Sequence, residues 1–180
     1  MNFQKHSHRY GEIILNSSLK VKHEIESVVE SISVDMIEQE HQNSLGVAKE
    51  RGKKGSVGKQ AALNNIFRGK FAERGWVAEK RIFEGEDQDL KMDFWKPDFG
   101  IDVAFNHRSF IGGDLLRLQA ASEVRNLIDV GIYICSTKKF LKYISPKDCN
   151  SLVSFERTKW YLENFGPVIT TPVYLIGLDP

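Results

Sequence analysis

The chain has 180 residues, 41% hydrophobic and 27% charged, enough for one domain with one core and too few for two well-packed ones. These ordinary globular proportions exclude a disordered chain, a collagen-like repeat and a coiled coil. Twenty-five Lys and Arg against twenty-four Asp and Glu leave a formal charge of +1, so bulk charge draws the chain to neither nucleic acid nor membrane, and such binding needs a local patch. Cys135 and Cys149 fit neither a disulfide framework nor a four-ligand zinc site and point to a reducing compartment, the cytoplasm by default. The polar run from Met1 to His8 lacks a signal-peptide core, and no apolar run approaches the roughly 20 residues of a membrane span. A soluble, unexported protein is expected.

In chain order, Ile25, Val28, Val29 and Ile32 recur at helical spacing between Leu19 and Ile32, behind the capping cluster Asn16-Ser17-Ser18, and predict an amphipathic helix. From His41 to Lys59 large apolar residues almost vanish. This stretch holds Gly46, Gly52, Gly55 and Gly58, and sets Lys49, Arg51, Lys53, Lys54 and Lys59 against Glu50, which predicts an exposed basic loop. A second helix is expected from about Ala61 to Arg74, stopped by Gly75. The period then changes, and Trp76–Phe83, Leu90–Trp95 and Gly100–Asn106, with turn residues between them, predict three strands in an antiparallel meander. A helix at about Gly113–Leu127 leads to the continuous apolar run Val130–Cys135, a buried central strand reached by a crossover. Helical segments near Lys138–Tyr143 and Phe155–Phe165 precede a last strand, Val173–Leu178. The expected class is α/β, one domain over residues 1–180 with helices on both faces of the sheet.

Chemistry concentrates in the segment from Met92 to His107. On a strand starting near Gly100, alternation puts Ile101, Val103 and Phe105 on one face and Asp102, Ala104 and Asn106 on the other. Asp93 precedes Asp102 by nine residues across a Pro-containing turn, so an antiparallel partner strand can bring the two carboxylates together as a divalent-cation site. Two unrelated acids facing water have the same spacing, and spacing alone does not choose. Asp98, in Pro97-Asp98-Phe99-Gly100, is ordinary turn chemistry and is assigned to the turn. The stretch Gly55-Ser56-Val57-Gly58-Lys59-Gln60 misses a phosphate-binding loop in detail. Lys53 stands at the first glycine position, Gln60 replaces the Ser/Thr and no apolar strand precedes it.

The collinear pattern Met92-Asp93-Phe94, Ile101-Asp102-Val103-Ala104-Phe105 and Ser109-Phe110 resembles type II restriction endonucleases of the BstYI/BglII/BamHI group, a branch of the PD-(D/E)xK nuclease superfamily, and looks closest to BstYI. It continues through Asp114-Leu115, Ile128-Asp129-Val130-Gly131 and the ending Pro172 to Pro180, with Ala62-Leu63-Asn64 and Gly75-Trp76 upstream. The match is weakest between residues 33 and 60. The resemblance implies a restriction-endonuclease-like fold, a central mixed sheet flanked by helices, and hydrolysis of DNA phosphodiesters with Mg²⁺ (Mn²⁺ as substitute). It implies Asp93 and Asp102 as metal carboxylates, the carbonyl of Val103 as a further ligand, and Glu79 as an additional catalytic acid. A solvated strand acid beside Lys80 and Arg81 reads Glu79 equally well.

One departure stands out. Two residues after the second acid, active relatives carry Lys, Glu or Gln, whereas this chain has Ala104, whose methyl neither accepts a proton nor orients a water. Glu79, Asn106 or a mobile Lys then supplies that function, or the substrate phosphate assists, or the chain is a DNA-binding protein that cuts poorly. Asn106 shares the strand face of Ala104 and is the first substitute. The resemblance also implies base reading by Asn106, His107 and Arg108, with Ser151 and Ser154 as weaker candidates. Lys49, Arg51, Lys53, Lys54 and Lys59, in a basic DNA-contacting loop at about 41–60, would bind phosphates. It implies, further, a homodimer on a palindromic double-stranded site centred on GATC and cut to 5′ overhangs. A cognate DNA methyltransferase would act on the same site without stable binding.

Overall fold

The computed structural model of the chain describes residues 1–180 except Lys53, Lys54, Ser56, Glu86, Asp87 and Gln88. A six-stranded sheet runs in the order β1-β6-β5-β4-β3-β2, built from β1 (Asn2–His8), β2 (Val77–Arg81), β3 (Lys91–Lys96), β4 (Asp98–Val103), β5 (Ile128–Ser136) and β6 (Val173–Asp179). The pairs β2–β3 and β3–β4 are antiparallel, the expected meander. Strands β4, β5 and β6 pair in parallel, and β1 closes the far edge antiparallel to β6. The sheet is therefore mixed, as the resemblance implied.

Helices cover both faces. One face of the sheet, with Ile101, Ile132, Ile134 and Tyr174, packs against α2 (Leu19–Glu30), α3 (Val34–Glu50), α4 (Gln60–Ala72) and α6 (Lys138–Ile144). The other, with Ala104, Tyr133 and Leu175, packs against α5 (Ile111–Gln119) and α7 (Phe155–Asn164). Short α1 (Gly11–Leu15) links β1 to α2. Bare glycines let the second layer approach: a Cβ at Gly177 would meet the Phe155 side chain at 2.6 Å, and one at Gly131 would meet Leu118 at 2.9 Å. Added methylenes at such close contacts force shifts of side chain or backbone.

One expectation fails here, and one strand was not foreseen. The stretch read as an exposed loop from His41 begins as helix, because α3 runs from Val34 to Glu50 behind Ser33, whose hydroxyl accepts the Met36 amide. Only Ile37 and His41 of α3 are buried, too sparse a stripe for periodicity to register. The helix is held instead by polar bonds from Asn65 to Glu40 and from the Tyr143 hydroxyl to Glu38. Lys49 thus lies in the last turn of α3 and Arg51 at its C-cap, while Lys53 and Lys54 fall outside the described residues. The polar N-terminus is β1, an edge strand whose side chains are mostly exposed, so it carries no apolar alternation. Among the described residues no helix is long and apolar enough to cross a membrane.

Candidate active site

The hairpin β3–β4 turns through Pro97-Asp98. Lys96 pairs with Phe99, and Asp98 takes a left-handed φ of 72°, as the third position of a proline type II turn demands. That turn sets a register in which Phe94 pairs with Ile101, which puts Asp93 opposite Asp102. The carboxylates interlock with the neighbouring backbone: the Asp93 amide donates to Asp102 Oδ1 at 3.3 Å, and the Val103 amide donates to Asp93 Oδ2 at 2.7 Å. Alternation is interrupted at this level. Met92 packs on one face of the sheet and Phe94 on the other, while in β2 Glu79, opposite Asp93 in the β2–β3 register, has a φ of 52°. Irregular strand geometry of this kind re-aims side chains.

Asp102 points to the α5 side, as alternation predicted, and is 1% exposed. Arg117 answers it from α5, one turn beyond Asp114. Arg117 Nε donates to Asp102 Oδ2 at 3.0 Å and Nη2 to Asp114 Oδ1 at 2.9 Å. The buried Tyr133 hydroxyl donates to Asp114 Oδ2 at 2.8 Å, and Asn106 lies near enough to favour the charged form of Asp114. A chain of contacts thus runs from Tyr133 in β5 through Asp114 and Arg117 to the paired acids. Burial raises the pKa of Asp102 to about 7 against the opposing attraction of Arg117, with repulsion from Asp93 and Asp114 adding to the rise. Burial likewise raises Asp93, opposed by the Val103 amide, and Asp114, opposed by Arg117. Burial alone would lower Arg117, but Asp102 and Asp114 outweigh it and raise the guanidinium.

These groups line an open cleft of about 530 Å³ with Gln60, Asn64, Asn106 and His107. Beside it a smaller hollow of about 110 Å³ joins Asp93 to Asn64, Arg68 and Glu79. Glu79 therefore lies next to the acid pair, exposed and ion-paired to Arg68 at 3.2 Å and Lys91 at 3.5 Å. Asn64, Arg68, Asp114, Arg117 and Tyr133 were missed as site residues. No local pattern marks them, since helix packing against the sheet, not sequence spacing, brings them to the hairpin.

Ala104 is 2% exposed and packed in the α5-side core, and its amide still donates to the Ile134 carbonyl at 2.8 Å. Beyond it the chain leaves the sheet, so Asn106 is exposed yet reaches the cleft through Asp114. Among the described residues no lysine lines the acid cleft, and its cationic side chain is Arg117. His107 Nδ1 accepts the Ser109 amide at 3.2 Å, which leaves Nε2 to carry the proton outward. His107 pairs with Leu152, and Arg108 donates to the Asn150 carbonyl at 3.3 Å, so the two segments expected to read bases form one ridge.

Two expected contact residues are otherwise engaged. Ser154 is 2% exposed and caps α7 by accepting the Arg157 amide, which leaves its hydroxyl committed inside the fold rather than offered to a base. Lys59 is turned inward, ion-paired to Glu38 at 3.2 Å and lying 4.1 Å over the Tyr143 ring, where it ties α3 to α6 instead of facing a phosphate. Ser151 is half-buried and donates to the Asp148 carbonyl at 2.8 Å.

Comparison with known proteins agrees with this architecture. No curated protein matches the chain. Among solved structures, one described as the crystal structure of restriction endonuclease BglII complexed with a DNA 16-mer superposes with a TM-score of 0.73 at 19% identity, over all of this chain and 79% of that one. The likeness extends through the whole mixed sheet and its flanking helices. The model of the restriction endonuclease BglII/BglIII family matches residues 3–178, nearly the whole chain, and the chain belongs to this family.

Proposed function

We propose that the protein is a Mg²⁺-dependent, sequence-specific endonuclease that acts as a homodimer on palindromic double-stranded DNA. The observation that carries this reading is the Asp93/Asp102 pair, two desolvated carboxylates interlocked across one hairpin in a chain of this family. The donor set suits the ion. Among the described residues no three His, Cys, Asp or Glu side chains gather as metal ligands, but Mg²⁺ keeps several waters and takes one or two carboxylates with substrate phosphate oxygens. Asp93, Asp102 and the Val103 carbonyl would hold it. The bound ion would polarise the scissile phosphate and lower the pKa of a coordinated water.

The chain's own residues do the rest. Asp93 and Asp102 would hold the cation, Arg117 balances their charge, and Asn106 in the acid cleft and Glu79 in the hollow beside Asp93 are the polar groups that would orient a water. Asn106, His107 and Arg108 present amide, imidazole and guanidinium donors suited to major-groove base edges. A two-fold dimer matches a palindrome, each subunit cutting one strand, and a GATC-centred site with 5′ overhangs is the first site to test.

Digestion of unmethylated phage-sized DNA with Mg²⁺, alongside an Asp93→Asn control, tests the proposal. Discrete fragments with defined ends, lost in the variant, are expected. Uncut DNA across many sequences overturns it. A second reading, a catalytically weak DNA-binding protein of the same fold, is favoured by two observations: Ala104 is apolar and buried, and Arg117 occupies Asp102 Oδ2. Specific duplex binding without cleavage, with Ala104→Gln restoring cutting, distinguishes this reading.

A further inference from the structure

A second group of cations gathers away from the stretch that composition marked. Arg108, Lys138, Lys139, Lys142 and Arg157 line an open cleft of about 570 Å³ with no carboxylate among its lining residues. Lys138, Lys139 and Lys142 come from α6, which starts at the carboxyl end of β5, and Arg108 follows the carboxyl end of the parallel neighbour β4. Arg157 closes the cleft from α7. The five are unequally engaged. Lys139 reaches Asp179 at 4.0 Å, Arg108 spends one Nη1 hydrogen on the Asn150 carbonyl, and among the described residues no ion pair forms at Lys138, Lys142 or Arg157. Glu156 stands nearby, its carboxylate accepting the Lys138 backbone amide at 3.1 Å.

Around the core and the acid cleft, by contrast, several cations are paired: Lys22 with Glu12, Lys59 with Glu38, Lys96 with Glu24 and Arg117 with Asp102. Like charges around one concavity focus a positive potential and favour an anionic ligand. The cleft contains no aromatic side chain, so it offers no platform for stacking unpaired bases. It abuts the acid cleft, since Leu152 lines both and pairs with His107 on the ridge between them. A duplex bound at Asp93 and Asp102 and crossing that ridge would reach the cations.

We infer that this cleft holds backbone phosphates of the same DNA duplex, next to the base-reading ridge, and supplies affinity without sequence information; this rests on the endonuclease reading above. The test is duplex binding without divalent ions, read by fluorescence anisotropy from about 50 to 200 mM salt, on GATC-centred and scrambled duplexes. In the Lys138→Ala/Lys142→Ala/Arg157→Ala variant, three lost phosphate contacts make the slope of log K against log salt shallower by roughly 2–3, at about 0.9 per phosphate. Both duplexes weaken alike, because phosphate contacts carry no sequence information. If the triple variant fails to fold, Lys142→Gln alone, at an exposed position, is expected to change the slope by about 0.9.

An unchanged slope with binding intact overturns the inference and gives the cleft to another partner, such as an acidic protein. Weakening confined to the GATC duplex also overturns it, since the residues then read bases. Wild-type protein that binds no duplex at any salt fails one step earlier and removes the endonuclease reading itself.

Discussion

The acid cleft and the basic cleft lie side by side and handle charge in opposite ways. Asp93, Asp102 and Asp114 are desolvated and interlocked, each held by a backbone amide, a guanidinium or a tyrosine hydroxyl. Lys138 and Lys142 are exposed and Arg157 is half-buried, and among the described residues none of the three has an ion-pair partner. Charge that performs chemistry must be held in a fixed geometry, so the fold buries and braces it. Charge that supplies only affinity works from exposed, adjustable side chains.

The widest contrast is expected from the acid side. Asp93→Asn removes a cation-holding carboxylate and should lower single-turnover cleavage by at least about 10³-fold, a loss of several kcal/mol of charge stabilisation, while duplex affinity without divalent ions stays near wild type. A fall in affinity with cleavage retained would reverse the assignment of the two clefts.

Arg117→Met leaves Asp102 and Asp114 desolvated without their cation and should destabilise the fold by about 2–4 kcal/mol. Denaturant melts check this, and an unchanged midpoint would show that the network does not brace the site.

A smaller effect, of opposite sign, is expected for Asp102→Asn. The pKa of Asp102 is raised in the fold to about 7 from 3.8, so the unfolded chain ionises first and this group takes stability away as pH rises from about 4 through 7. Without divalent ions the variant should therefore match wild type near pH 4 and gain on it by about 2–3 kcal/mol between pH 5 and pH 8. A thermal-melt difference independent of pH would contradict this. Smallest is Lys59→Met, which removes an inward ion pair and cation–π contact. It should cost about 1 kcal/mol of stability and leave the salt dependence of DNA binding unchanged, unlike Lys142→Gln.

The hairpin was legible because everything that builds it is local. Period-two alternation, a proline turn and nine residues of separation bring Asp93 and Asp102 within reach of one another. Arg117 and Tyr133 were illegible for the opposite reason: they arrive from the next helix and the next strand, and only the packing of α5 on β5 brings them to Asp102. The same distinction explains α3 and β1. Neither carries an apolar period, because α3 is held by side-chain hydrogen bonds to α4 and α6, and β1 by backbone pairing to β6.

By itself, then, the sequence determined the α/β class, the meander and the buried central strands, since each follows from hydrophobic period and turn chemistry within a short span; that Asp93 and Asp102 pair came from the family resemblance, because spacing alone did not choose. Tertiary structure alone decided which charges are spent and which remain free. Lys59 and Arg157 look alike along the chain, yet Lys59 turns inward to Glu38 while Arg157 lines an open cleft. Pairing a charge takes a partner brought from another element, and that distance is set by packing.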